Sequence, residues 1–196
     1  MKKVIYMGGW RSWRGSPKIV ANFGGGEWPA GPAQRKDYMF SIIAAIGKNN
    51  EIGKKGDLVF HLKGDMRFFR ETTNGHTVVM GKTTWGSLPA KLKNRTNLVV
   101  SRDEVSGDPD GVISDLDKYI KDHLDSEEEV FIIGGGSMYK AFLPYATKLY
   151  LTEIDATDPE ADVFFPTFDK DKYEKTIIKK GTENGINYSI IKYIKN

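Results

Sequence analysis

Cysteine is absent from this 196-residue chain, which removes disulfides, thiolate nucleophiles and cysteine-bound metals, and fits a reducing compartment such as the cytoplasm. Histidine is scarce. His61, His76 and His123 have no ligand-like spacing, so no histidine-based metal site is expected. No apolar run reaches the roughly 20 residues that a membrane span needs. The VIYM run behind Lys2 and Lys3 is cut by Gly8 and Gly9, too soon for a secretory signal. Charge of one sign is lacking as well: 29 basic against 26 acidic residues leave a net charge of +3, spread along the chain, and imply no general nucleic-acid-binding surface.

What is present divides at Met39. Residues 1–38 are rich in Gly, Pro, Trp and Arg, lack any helix or strand period, and read as a flexible or loosely docked extension. Its basic residues interleaved with Trp10, Trp13 and Trp28 could touch RNA or a membrane surface. A solvated tail or an upstream start is the plainer reading. From residue 39 to 196 the pattern is that of one α/β domain. MFSIIAAIG, TVVMG, TNLVVS and EVFII are strand-length runs of the kind buried on both faces of a parallel sheet. The segments between them predict helices after Lys63, Lys82, Ser114 and Ser137, with Ser114 as a cap and Asp117 completing a capping box. NNEIGKKGDL reads as a long loop. KLYLTEI, YEKTIIKK and INYSIIKYI add strands, the last two as a hairpin across Thr182–Gly185. The expectation is a central, mostly parallel twisted sheet of about eight strands with an antiparallel carboxyl-terminal hairpin and about four flanking helices.

Chemistry concentrates at a few positions. In FHLKGDMRFFR, Asp65 precedes Phe68 and Phe69 by three and four residues, which places all three on one helical wall. A carboxylate among apolar groups either raises its pKa or meets a donor-rich ligand; a solvated acid paired with Arg70 is the alternative. Gly134, Gly135 and Gly136 separate a strand from a helix, where backbone N–H groups can approach a phosphate closely, although many such turns are only turns. MGKTTWGS repeats the arrangement at Gly81, and Lys82 and Arg102 stand at two neighbouring strand ends near hydroxyl groups. Either cation alone is ordinary surface charge; the conjunction suggests a dinucleotide carrying an extra phosphate.

Taken in order, SIIAAIG, EIGKKGDL, HLKGDMRFFRETT, TVVMGKTTWGSL, NRTNLVVSR, VFIIGGGSMYKAFLP, KLYLTEID and ADVFFP resemble the dihydrofolate reductase family from Met39 to the carboxyl terminus. The resemblance implies reduction of 7,8-dihydrofolate by NADPH, with antifolate-type inhibitors as further ligands, in a cytoplasmic monomer. It implies that Asp65 binds the pterin's 2-amino group and ring nitrogen with Thr152 behind it, and that Leu58 and Phe60 close the catalytic site. Ile43, Ala44, Ala45, Phe69, Leu88, Leu92 and Ile133 would line the substrate pocket, with Arg95 forking onto the glutamate α-carboxylate and Tyr139 beside the nicotinamide. The cofactor would touch Ala45, Ile52 and Gly53 in the loop, then Gly81, Lys82, Thr83 and Thr84. Beyond these, Ser101 and Arg102 would join Ile133, Gly135, Gly136, Ser137, Met138 and Tyr139 in holding it. A cis peptide is expected between Gly134 and Gly135, and Asp162 is placed to bond the closed loop.

The chain departs from the family pattern where Val59, Phe60 and Lys63 replace Pro, Trp and Pro. A more mobile loop is expected, by up to about 1 kcal/mol per lost proline, with activity retained but reduced or shifted in pH dependence. The related reductase of riboflavin synthesis and a non-catalytic pterin or nucleotide binder are the competing readings. Asp65, Thr152 and Arg95 together favour a folate.

Overall fold

Strand β1, Phe40–Ile46, is the first element of the computed structural model, which describes residues 40–124 and 126–196. The expected extension at residues 1–38 lies outside them. Four helices follow among the described residues: α1, Lys63–Thr73; α2, Lys82–Ser87; α3, Leu116–His123; and α4, Gly136–Phe142. Between and after them run β4, Thr77–Gly81, β5, Thr96–Val100, β6, Gly111–Ile113, β7, Val130–Gly134, and β8, Lys148–Ile154, closed by β10, Tyr173–Glu183, and β11, Ile186–Lys195. With β1 they form one eight-stranded sheet in the order β10-β11-β8-β1-β7-β4-β5-β6. All pairs from β8 to β6 are parallel, and β11 joins β8 antiparallel. The continuous apolar runs become parallel strands because helices cover both faces and no residue of these strands need be polar.

Three clusters make up the core, and the two larger ones divide the helices between them. Ile42, Ile46, Val79, Ile132 and Leu151 pack under Ile120 of α3 and Phe142 of α4. Ile43, Val78, Met80, Val99, Phe131 and Ile133 pack with Trp85 of α2 and the half-buried Phe68 and Phe69 of α1. Helices α2 and α4, which leave the adjacent strands β4 and β7, therefore go to opposite faces. A crevice opens at the carboxyl ends of such a strand pair, the usual ligand position in an open α/β sheet.

Two expectations are corrected. The segment read as a loop at 49–58 contains β2, Glu51–Lys54, and β3, Asp57–Leu58, which form a small second sheet with β9, Val163–Phe164. Lys55 and Gly56, with φ of 51° and 86°, make the two-residue turn that joins β2 to β3. The cap of α3 is Asp115 rather than Ser114: its carboxylate accepts the Lys118 N–H at 2.9 Å. The one-residue offset arises because both residue types cap well and only the backbone direction decides between them. The carboxyl-terminal hairpin is as expected, with a tighter turn. Asn184 and Gly185 alone turn the chain, both at positive φ, and Thr182 and Glu183 remain in β10.

Candidate active site

The crevice is a cleft of about 410 Å³. One bank is the carboxyl end of β4 with the start of α2, Gly81 to Thr84; the other is the turn from β7 into α4, Gly134 to Tyr139. Ala45 and Ile133 form part of its floor, while Ile52, Gly53 and Leu58 reach over it from the small sheet with Val163. The peptide between Gly134 and Gly135 is cis. Gly134 has φ +125°, which only glycine adopts readily. Gly81 and Gly135 are different. Their backbone angles suit any residue, and a Cβ on either would meet no protein atom closer than 3.5 Å. Neither fold nor packing demands glycine there, so their missing side chains leave room for a ligand lying against the backbone.

Asp65 lies past the inner end of this cleft. The register pairs Ala45 of β1 with Thr152 of β8. The almost fully buried Thr152 hydroxyl donates to Asp65 Oδ1 at 2.5 Å. Asp65 is thus held by β8 and has no ion pair with Arg70 among the described contacts. Burial pushes its carboxyl above the ordinary carboxylate range, the Thr152 bond pulls it back, and the charge of Glu183 adds to the rise. Tyr139 ties the two regions together: its hydroxyl donates to the Ile43 carbonyl at 3.0 Å, and burial together with the Asp65 charge raises its pKa.

An apolar wall continues from Asp65. Ile43, Ile133, Phe69, Leu88 and Leu92 fall in one hydrophobic cluster. Ala44 does not join them. Its side chain lies in the cluster on the opposite face, because consecutive strand residues alternate and Ile43 and Ala45 take the pocket side. Phe60, like Ala45 and Phe68, packs against the cluster of Leu62, Ile154, Tyr188 and Ile190, and its ring edge comes so near Gly47 that a Cβ there would lie 2.9 Å away. Arg95 closes the far end of the wall. Its guanidinium lies 5.9 Å from the Phe69 ring centroid, with Nε donating to the Lys93 carbonyl at 2.9 Å and Nη1 to the Thr73 hydroxyl at 3.2 Å. Burial and the neighbouring Arg70 lower its pKa, yet an arginine stays charged.

Lys82 and Thr83 are on the cleft, whereas Ser101 and Arg102 line an adjoining depression that shares Val100 and Met138 with it. The loop over the cleft is fastened as expected of Asp162: its Oδ2 accepts the Lys55 N–H at 2.9 Å and its own N–H donates to the Gly53 carbonyl at 3.1 Å. Lys54 adds ion pairs to Asp158, at 3.2 Å, and Glu160. The sequence reading missed Ser87, Val100 and Val163 as cleft-lining residues. Val163 had no signal of its own, since only its pairing with Gly53 brings it to the site.

A family model for dihydrofolate reductase matches residues 39–195. The dihydrofolate reductase of Bacillus subtilis (strain 168) is 37% identical over 163 residues, which span 80% of this chain and 95% of that protein. The enzyme of the same name from Haemophilus influenzae is 39% identical over 136 residues, 69% of this chain and 83% of its own length. A dihydrofolate reductase type 3 from Salmonella typhimurium is 41% identical over 131 residues, 66% of this chain and 80% of that relative. With an acid held by a threonine beside a glycine-lined cleft, and with these matches across the whole sheet, this chain belongs to the dihydrofolate reductase family.

Proposed function

We propose that this protein reduces 7,8-dihydrofolate to 5,6,7,8-tetrahydrofolate with NADPH, hydride going to C6 and a proton to N5. The observation that carries the reading is the Asp65–Thr152 pair, set one cross-strand step from Ala45 at the inner end of the glycine-lined cleft. A carboxylate offers two acceptor oxygens side by side, which match the two adjacent donors of a 2-aminopyrimidine edge. Its negative charge favours the protonated pterin, the better hydride acceptor.

The cleft suits a dinucleotide because a backbone can be approached closely at Gly81 and Gly135, where no Cβ covers it and where a Cβ would meet no protein atom closer than 3.5 Å. Lys82, Thr83, Thr84 and Ser137 would hold its phosphates, with Arg102 and Ser101 at the adjoining depression for a 2′-phosphate. When bound, NADPH supplies the hydride. The protein's part is to hold the pterin, align it beside Ala45, Ile133 and Tyr139, and exclude bulk water by closing Ile52 to Leu58 over the cleft. Phe60 contributes apolar bulk to that closure and no hydrogen bond, so the N5 proton comes from water. Antifolate-type inhibitors bearing a diaminopyrimidine would meet the same Asp65 oxygens.

Mixing the purified chain with NADPH and dihydrofolate tests this. Loss of reduced-nicotinamide absorbance that requires dihydrofolate, and that is much slower with NADH, is the expected result. No oxidation, with a fluorescence change on mixing, would make the protein a binder instead.

A further inference from the structure

Helix α1 begins without a cap of its own, because Leu62 occupies the N-cap position and offers no side-chain acceptor. Its first N–H groups are met from the other end of the chain. Glu183, the last residue of β10, accepts the Lys63 N–H on Oε2 and the Gly64 N–H on Oε1, each at 2.6 Å. The Tyr188 hydroxyl donates to the same Oε1 at 3.3 Å. These contacts depend on two unusual choices at the helix start. Lys63 supplies a donor where the family pattern has proline, which has none. Gly64 makes room: a Cβ there would collide with the Tyr188 hydroxyl and lie 2.9 Å from Glu183 Oε1.

We propose that Glu183 is a positioning residue for the reaction, capping the active-site helix from the hairpin and thereby fixing Asp65 against Thr152. The inference rests on the reading of Asp65 as the pterin-binding carboxylate. An anion at a helix start is favoured by both the free N–H groups and the helix dipole. The two backbone bonds, that to Gly64 foremost, hold Glu183 below the ordinary carboxylate range, so it is charged at neutral pH.

That charge has a second effect. The groups around Asp65 are Glu183 and Tyr188 from the hairpin, Thr152 from β8 and Tyr139 from α4, while Lys63 and Arg67 of its own helix act on Glu183 and Tyr188. Glu183 is the neighbouring anion that makes Asp65 harder to ionise. Neutralising it relieves like-charge repulsion and also leaves the helix N–H groups less compensated. Both changes favour the Asp65 anion.

Carbon-detected NMR titration of the Asp65 carboxyl and amide exchange at Lys63 and Gly64, in the full chain and in Glu183→Gln, test the proposal without substrate. The variant should titrate Asp65 at lower pH, speed exchange of the two amides about tenfold, and lower kcat/KM for dihydrofolate about fivefold, chiefly through kcat. Lys63→Pro provides a second handle, since proline suits the first helical position and deletes one donor. The effect of Glu183→Gln should shrink at least about twofold in the Lys63→Pro background. Unchanged Asp65 titration and unchanged amide exchange in a folded Glu183→Gln protein would overturn the proposal, as would equal effects in both backgrounds. A wild-type chain inert toward NADPH and dihydrofolate would instead remove the proposed function and leave the NMR result to decide the cap.

Discussion

Asp65→Asn is expected to lower kcat/KM for dihydrofolate by about 10²- to 10³-fold, the scale on which a charged group positioned at the reacting ring usually acts. Asparagine keeps one acceptor for the Thr152 hydroxyl, so the helix need not move. It turns an amide N–H₂ toward the pterin edge, however, where two donors already point, and it carries no charge to favour the protonated ring. Stability should move the other way. Burial raises the Asp65 pKa, so the folded chain holds this proton more tightly than the unfolded chain does. Its contribution to stability is therefore full below the ordinary carboxylate value and lost as pH rises through the raised one. At neutral pH the cost of a shielded anion is present, and asparagine removes it. Thermal unfolding should show the variant more stable than wild type at neutral pH, with the gain fading in acid. Lost activity with gained stability would mark a residue retained for its chemistry.

Arg95→Leu is expected to raise KM for dihydrofolate by about 10- to 100-fold while kcat changes only a few-fold, in steady-state assays at saturating NADPH. The guanidinium is already oriented by the Lys93 carbonyl, the Thr73 hydroxyl and the Phe69 ring, so a carboxylate meets a fork that needs no further ordering. Hydrogens on Nη1 and Nη2 remain for that carboxylate. Because the glutamate tail lies far from the reacting ring, the lost contact is equally strong in ground and transition states, and kcat is spared. Arg95→Lys should recover only part of the affinity, since an ammonium cannot reproduce a planar bidentate pair. A dihydropterin lacking the glutamate tail should be indifferent to all three side chains. If it loses affinity in step with dihydrofolate, Arg95 supports the apolar wall instead of the tail.

Much of this arrangement was legible in the chain, for particular reasons. Buried parallel strands are continuous apolar runs, so β1, β4, β5 and β7 announced themselves, and their alternation with helices fixed the class of sheet. Asp65 stood out because an acid three and four residues before two phenylalanines shares their helical wall, although a solvated acid paired with Arg70 fitted the same pattern. The glycine turns were visible as composition, yet their meaning came from their place at adjacent strand ends with helices on opposite faces. What was hidden depended on parity or on distant pairing. In a strand buried on both sides, nothing in the sequence says that Ala45 faces the pocket and Ala44 does not. The strands β2 and β3 are too short and too rich in Lys and Gly to read as strands, and β2 is completed by pairing with β9, far along the chain. Glu183 looked like one more turn residue. Only the hairpin register brings it to Lys63 and Gly64, and no local signal marks a helix whose cap arrives from elsewhere.

The most direct measurement is a crystal structure of the chain with folate and NADP⁺ bound together. Both Asp65 oxygens are predicted within hydrogen-bond distance of the pterin 2-amino group and ring nitrogen, with the nicotinamide stacked alongside between Ala45 and the Gly134–Gly135 turn. A pterin bound away from Asp65, or a cofactor outside the cleft between Gly81 and Gly135, would contradict the account.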